Sequence, residues 1–123
     1  MYLVDTSVWI DHLRKSDPML VKALGDDLVA CHPFIIGELA LGSLKDRKTV
    51  IAMLENLPSV TRAGDNEVLR MIEDRKLFAR GLGLIDAHLL AAALIEGDVQ
   101  IWTKDKRFQT IATELNVAAS LSK

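Results

Sequence analysis

This sequence predicts an α/β fold around a mostly parallel sheet, and three observations carry the prediction. Short β-prone runs at residues 2–4, 28–31 and 99–103 alternate with longer segments of helical periodicity. The segment from Leu84 to Glu96 is apolar nearly all round, as suits a helix inside a core. Half of the 123 residues are apolar, enough for one domain over residues 1–123 with its own core. Strands that alternate with helices lie side by side in parallel and are covered on both faces.

The elements follow in order. YLV, residues 2–4, is the first strand, and Thr6 or Ser7 caps a helix to Lys15 in which Val8, Trp9 and Leu13 share a face. Asp17-Pro18 opens a second helix toward Leu24, with proline in its first turn and Gly25 at its end. Residues 28–31 form the next strand. Pro33 then starts a helix that stops near Gly42 or Ser43, and Asp46 caps another through Leu57, ahead of Pro58. Residues 59–62 are a short strand, and Asp65 to Arg80 an amphipathic, charged helix. Gly81-Leu82-Gly83 breaks the chain before the apolar helix of residues 84–96. After the Gly97-Asp98 turn come the strand VQIWT, a helix over residues 104–115, and a last strand at residues 117–119. No internal repeat, low-complexity tract or interdomain linker interrupts this order.

Composition excludes several classes. The single cysteine, Cys31, makes no internal disulfide, and MYLVD lacks the basic, then apolar, start of a secretory signal. The longest strictly apolar run, Leu89 to Ile95, is far short of the roughly 20 residues a membrane span requires. A cytoplasmic protein with no membrane association is the expectation.

Four of the seventeen acids sit where acids are costly. Asp5 ends the first strand. Glu38 lies within FIIGELAL, where its neighbours three and four residues away are Phe34, Ile35, Leu41 and Gly42. Asp86 is in the first turn of the most apolar helix, and Asp105 follows the strand VQIWT. A carboxylate on a buried face costs several kcal/mol unless it is paired, hydrogen-bonded or bound to metal. In an open parallel sheet the carboxyl ends of the strands share one edge, where ligands bind. Asp5 and Asp105 end there, and the helices with Glu38 and Asp86 start there. Four converging carboxylates repel unless cations hold them, and an all-oxygen cluster suits Mg²⁺ or Mn²⁺. Taken singly, Asp5, Asp86 and Asp105 also read as helix caps or dipole partners. Glu38, in mid-helix, has no such role. Thr6 and Thr103, beside strand ends, are candidates to hydrogen-bond ligands or water.

The ordered set LVDTSVWI, GELALGS, GLIDAHLLAAAL and IWTKDKRF spans essentially the whole chain and resembles the PIN-domain nucleases, in particular the VapC-type toxins of toxin-antitoxin pairs. The resemblance implies a PIN-like three-layer α/β/α sandwich with a central, mostly parallel sheet. It places the family's acids on Asp5, Glu38 and Asp86, a fourth Asp or Asn on Asp105, the strand-end hydroxyl on Thr103 and the hydroxyl after the first acid on Thr6. It implies Mg²⁺- or Mn²⁺-dependent endoribonuclease activity on RNA, with tRNA one candidate. It further implies a homodimer and a VapB-like antitoxin that fills the cleft and carries the DNA contact, so that DNA is met only indirectly.

On this reading Asp5 and Asp86 are the main metal holders, with Glu38 and Asp105 acting through water or on a second ion. The net charge of −2 is no objection to an RNA substrate, because setting the four acids aside turns the balance to +2. Lys104, Lys106 and Arg107, beside Asp105, are the favoured RNA contacts. Lys45, Arg47 and Lys48, with Arg75, Lys76 and Arg80, read first as solvated faces. His12, His32 and His88 have no motif around them, and structural roles are favoured over metal-free acid-base cleavage. Trp9, Ile10, Leu13 and Leu20 are either core or a groove for an antitoxin helix.

Other classes fit less well. A haloacid-dehalogenase-like phosphatase wants a second aspartate where Ser7 stands, and a receiver domain wants an acidic pair after the first strand. The alternative retained is a PIN-like binding or regulatory protein, inert as a nuclease, that works within an antitoxin-DNA complex.

Overall fold

A computed structural model describes residues 1–121. Three short strands, β1 (Tyr2–Val4), β2 (Val29–Ala30) and β3 (Gln100–Trp102), form a parallel sheet in the order β2-β1-β3. Among the described residues seven helices surround it: α1 (Thr6–Arg14), α2 (Pro18–Gly25), α3 (Pro33–Leu41), α4 (Arg47–Asn56), α5 (Asp65–Asp74), α6 (Leu84–Glu96) and α7 (Lys106–Glu114). Single parallel bridges, Cys31 to Ser59 and Ile101 to Ala118, extend the sheet on both sides. The expected α/β architecture is present.

Successive strand residues point to opposite faces of a sheet. Leu3 and Val4, Val29 and Ala30, and Ile101 and Trp102 are all buried, so both faces are covered. Helix α6 supplies the bulk of one layer, with Ala87 through Ala93 buried without interruption. Its run of alanines keeps the helix surface low, which lets it lie close to α5 and β3. Trp9 and Leu20 are fully buried and belong to the core, whereas Ile10 is exposed. Among the described residues, no helix is long and apolar enough to cross a membrane.

Several boundaries differ from the sequence expectation. The strands expected over residues 28–31, 59–62, 99–103 and 117–119 contract to two residues, one bridge, three residues and one bridge. Edge segments have a partner on one side only, so the ladder there is short. The charged helix expected to run to Arg80 stops at Asp74: Lys76 and Ala79 adopt left-handed φ values of 54° and 60°, which a continuing helix forbids. Leu77, buried in the core, pulls the chain inward at that point. Asp46 stands before α4 but does not cap it with its side chain; its own φ is 54°. Asp17 does cap α2, accepting from Met19 N at 2.9 Å, with Pro18 in the first turn as expected.

The connections set the site. From β1 the chain passes to β2 on one side, then returns through α3 to α6 to β3 on the other. The order therefore reverses at β1, and the crevice at such a reversal, outside the carboxyl ends of the strands, is where open α/β sheets bind ligands.

Candidate active site

Asp5 is placed by its own backbone. Its N–H donates to Trp102 O at 2.9 Å, one ladder step beyond Val4, so it leaves the sheet beside the end of β3. Its side chain is 6% exposed and makes no cap bond to α1. Instead Oδ2 accepts from Thr103 Oγ1 at 2.7 Å and from Ser7 Oγ at 2.9 Å. The capping alternative for Asp5 is not what the structure shows. Two hydroxyls from opposite ends of the chain hold the carboxylate still.

Glu38 projects from α3 and accepts from Thr6 Oγ1 at 2.8 Å through Oε1. Thr6 thus ties α3 to the residue that follows Asp5. Asp86, in the first turn of α6, accepts from Gly83 N at 3.3 Å, the one half of a capping box that a glycine N-cap allows. Asp105 precedes α7, accepts from Phe108 N at 3.1 Å, and is exposed. For Asp86 and Asp105 the capping role is real. It does not exhaust them, because each keeps a second oxygen.

The four acids share one electrostatic neighbourhood. The Asp86 carboxyl is pushed up to about 6, first by burial and then by Asp5, with Asp105 and Glu38 adding smaller effects; the Gly83 N–H opposes the shift. Among the described residues, none of the four forms an ion pair, so their mutual repulsion has no protein counter-charge. Repulsion of this kind keeps carboxylates apart, and each one takes a local O–H or N–H donor. Accordingly, no group of three or more His, Cys, Asp or Glu side chains among the described residues is set closely enough to hold one ion. The four acids, expected to converge at the sheet edge, are thus more widely spaced than one tight ligand cluster. The donor set still fits Mg²⁺ or Mn²⁺: all ligands are hard oxygens, and Mg²⁺ usually takes one or two carboxylates and keeps several waters. A cage of four direct carboxylates is not needed.

Ser7, expected only as a helix cap, also belongs to the site. Its Oγ donates to Asp5, lies 3.4 Å from Thr103 Oγ1, and accepts from Lys104 N at 3.1 Å. It joins the end of β1 to the chain after β3. The signal was available in the run DTS, where a hydroxyl two residues after an acid can turn back onto it. Ser7→Ala is expected to lower any metal-dependent activity of this crevice about 10- to 100-fold, the usual cost of losing a group that orients a metal-ligating side chain. The global fold should persist by circular dichroism, and full activity in a folded variant would remove Ser7 from the site.

The basic residues sort themselves by partner. Lys104 pairs with Asp11 at 2.7 Å, Arg80 with Glu114, and Arg47 donates to the carbonyls of Gly42 and Ala40. Lys106 and Arg107 are exposed on the first turn of α7, next to Asp105. The histidines are structural in their contacts. His12 Nδ1 accepts from Asp17 N at 3.0 Å, and His32 Nδ1 from Phe34 N at 2.9 Å. His32 and His88 are buried around Phe34, with ring centroids 5.0 and 4.7 Å from it. Burial holds His32 down at about 4, with smaller contributions from His88 and Arg62.

Comparison with known proteins bears on this arrangement directly. The PIN domain family model matches residues 2–114. The chain belongs to the PIN-domain family. Two curated relatives, both named Ribonuclease VapC32 and from two Mycobacterium tuberculosis strains, CDC 1551 and H37Rv, are each 49% identical to this PIN domain over 118 residues. The match covers 96% of this chain and 95% of each relative. The family expected from the four motifs, and its VapC branch, are thereby borne out, and the kinship is with ribonucleases along almost the whole length. The acids of this PIN domain stand at the edge where its sheet order reverses.

Proposed function

We propose that this chain acts as a single PIN domain that cleaves RNA endonucleolytically with Mg²⁺ or Mn²⁺, as a VapC-type toxin held inactive by a VapB-like antitoxin. One observation carries the reading: Asp5, Glu38, Asp86 and Asp105 act on one another at the sheet edge, where burial first and then the three neighbouring acids push Asp86 up to about 6, and among the described residues none of the four is ion-paired. Similarity at 49% identity to proteins named as ribonucleases supports RNA as the substrate class. Tight conformational control of Asp5 by two hydroxyls is the kind of preorganisation that hydrolysis requires.

Asp5 and Asp86 would hold the cation, with Glu38 and Asp105 reaching it through water or holding a second one. When bound, the cation supplies a more acidic water and draws charge from the scissile phosphate. The chain's own residues do the rest. Ser7 and Thr103 keep Asp5 Oδ2 oriented, and Thr6 keeps Glu38 turned toward the crevice. Gly83 N–H fixes one Asp86 oxygen and leaves the other to the crevice. Lys106 and Arg107 offer charge to the RNA backbone, whereas Lys104 is partly committed to Asp11. A homodimer, a cytoplasmic location, and contact with DNA only through the antitoxin complete the proposal.

The test is cleavage of total RNA, including tRNA, by the purified chain with Mg²⁺ or Mn²⁺ and with EDTA. Cuts that require metal are expected. Cleavage that survives EDTA, in a preparation free of contaminating nuclease, would favour a histidine mechanism. No cleavage at any metal concentration would move the chain to the binding and regulatory role.

A further inference from the structure

The loop that leads into α6 is fastened to α7 at two points. Arg80 and Glu114 make paired hydrogen bonds of 3.1 and 2.5 Å. One residue later, Gly81 has φ +78° and lies directly under the side chain of Arg107: a Cβ at Gly81 would stand 2.6 Å from Nη1, 3.1 Å from Cδ and 3.3 Å from Cζ. Arg107 and Glu114 are about two helical turns apart, so the loop runs along one face of α7. Only glycine combines a left-handed φ with a bare backbone that a side chain can rest on.

The place matters as much as the contact. Gly83, two residues on, donates to Asp86, and Asp105, two residues before Arg107, acts on Asp86 through space. The guanidinium therefore lies against the loop that carries Gly83 to Asp86. Among the described residues no carboxylate pairs with it, and its planar fork of donors matches a phosphate. A crevice of four acids repels a polyanion, so a cation beside the loop that enters it is what a nucleic-acid strand needs on approach.

We propose that Gly81 is a positioning residue for the RNA strand: its bare backbone seats Arg107, which then binds a phosphate next to the one being cleaved. The proposal rests on RNA being the substrate, as argued above. It goes further in choosing Arg107 among the basic residues and in giving the glycine a role in binding.

The experiment measures binding of a short, fluorescent, mixed-sequence single-stranded oligoribonucleotide by anisotropy over a salt series, in the Asp5→Asn background so that no cleavage intervenes. Arg107→Ala is expected to weaken binding about tenfold and to reduce the slope of log K against log salt by about 0.7, one single-strand phosphate contact. Gly81→Ala and Gly81→Asn should each weaken binding in the same sense. Asparagine tolerates left-handed φ yet still crowds the guanidinium, so it separates the seat from backbone strain if Gly81→Ala fails to fold. Added to Arg107→Ala, either glycine change should cost no further binding. In the active chain, Arg107→Ala should raise KM and leave kcat nearly unchanged.

An unchanged salt slope in Arg107→Ala overturns the proposal, as does a glycine effect of equal size with and without Arg107. Metal-dependent cleavage with no Arg107 effect on binding sinks this inference and leaves the nuclease reading intact. The reverse, an Arg107-dependent salt slope in a chain that cuts nothing, sinks the nuclease reading and with it the place of that phosphate beside a scissile one, while the phosphate contact of Arg107 on its glycine seat stands.

Discussion

Asp5→Asn is expected to lower metal-dependent RNA cleavage by at least about 10²- to 10³-fold, the range seen when a fixed electrostatic group is removed from a reacting centre. The substitution is nearly isosteric and keeps one acceptor for the hydroxyls of Ser7 and Thr103, which now both point at Oδ2. The backbone bond from Asp5 N to Trp102 O is untouched, so the sheet edge should keep its shape. What disappears is the charge. Purified variant and parent would be compared on total RNA with Mg²⁺, alongside their thermal melts. A folded Asp5→Asn protein that cleaves as well as its parent would end the assignment of this residue, whereas loss of cleavage with an unchanged melt would separate chemistry from stability.

Asp86→Asn should do something less expected in the absence of metal: it should stabilise the protein, and only at neutral or alkaline pH. A carboxyl held at about 6 in the folded state, against 3.8 ordinarily, keeps its proton after the unfolded chain has lost it. Stability from this group is therefore complete below about 3.8 and is lost as pH rises through about 6. Asparagine has no proton to lose. The gain at pH 8 in EDTA should be about 1–2 kcal/mol, less than the full shift implies because the group is partly open to solvent. At pH below 4 the two proteins should be equally stable. Urea midpoints at the two pH values measure it directly. Saturating Mg²⁺ should reverse the order, because only the parent gains stability from the bound ion by mass action. Equal midpoints at pH 8 in EDTA would show that neither burial nor the acidic neighbours hold the Asp86 carboxyl up.

The two experiments read different properties of one feature. Asp5 tests what the crevice does; Asp86 tests what the crevice costs the fold. An acid cluster that destabilises the empty protein and is needed for cleavage is the expected compromise of a metal-dependent site.

Much of this was legible in the chain itself. The alternation of strand and helix gave α/β, because period-2 and period-3.6 patterns report local geometry that every residue satisfies at once. Asp5, Glu38, Asp86 and Asp105 stood out by position, since an acid at a strand end or on an apolar stripe violates the pattern around it. The motifs around them are those of the PIN domain, and the match over residues 2–114 agrees with that.

Other features became visible only in three dimensions, for a common reason: they join residues far apart in sequence. Thr103 reaches Asp5 across 98 positions, Thr6 meets Glu38 across 32, and Arg80 meets Glu114 across 34. No local pattern encodes such pairs. The early end of α5 at Asp74 is of the same kind, since Leu77 leaves the helix for a place in a core built from distant elements. The seat that Gly81 gives Arg107 depends on how α7 lies against the loop. The spacing of the acids was also decided there, because unneutralised carboxylates settle on whatever O–H or N–H donors the folded chain brings to them. Sequence determined where the acids stand along the chain; packing determined which of their oxygens the folded protein already engages.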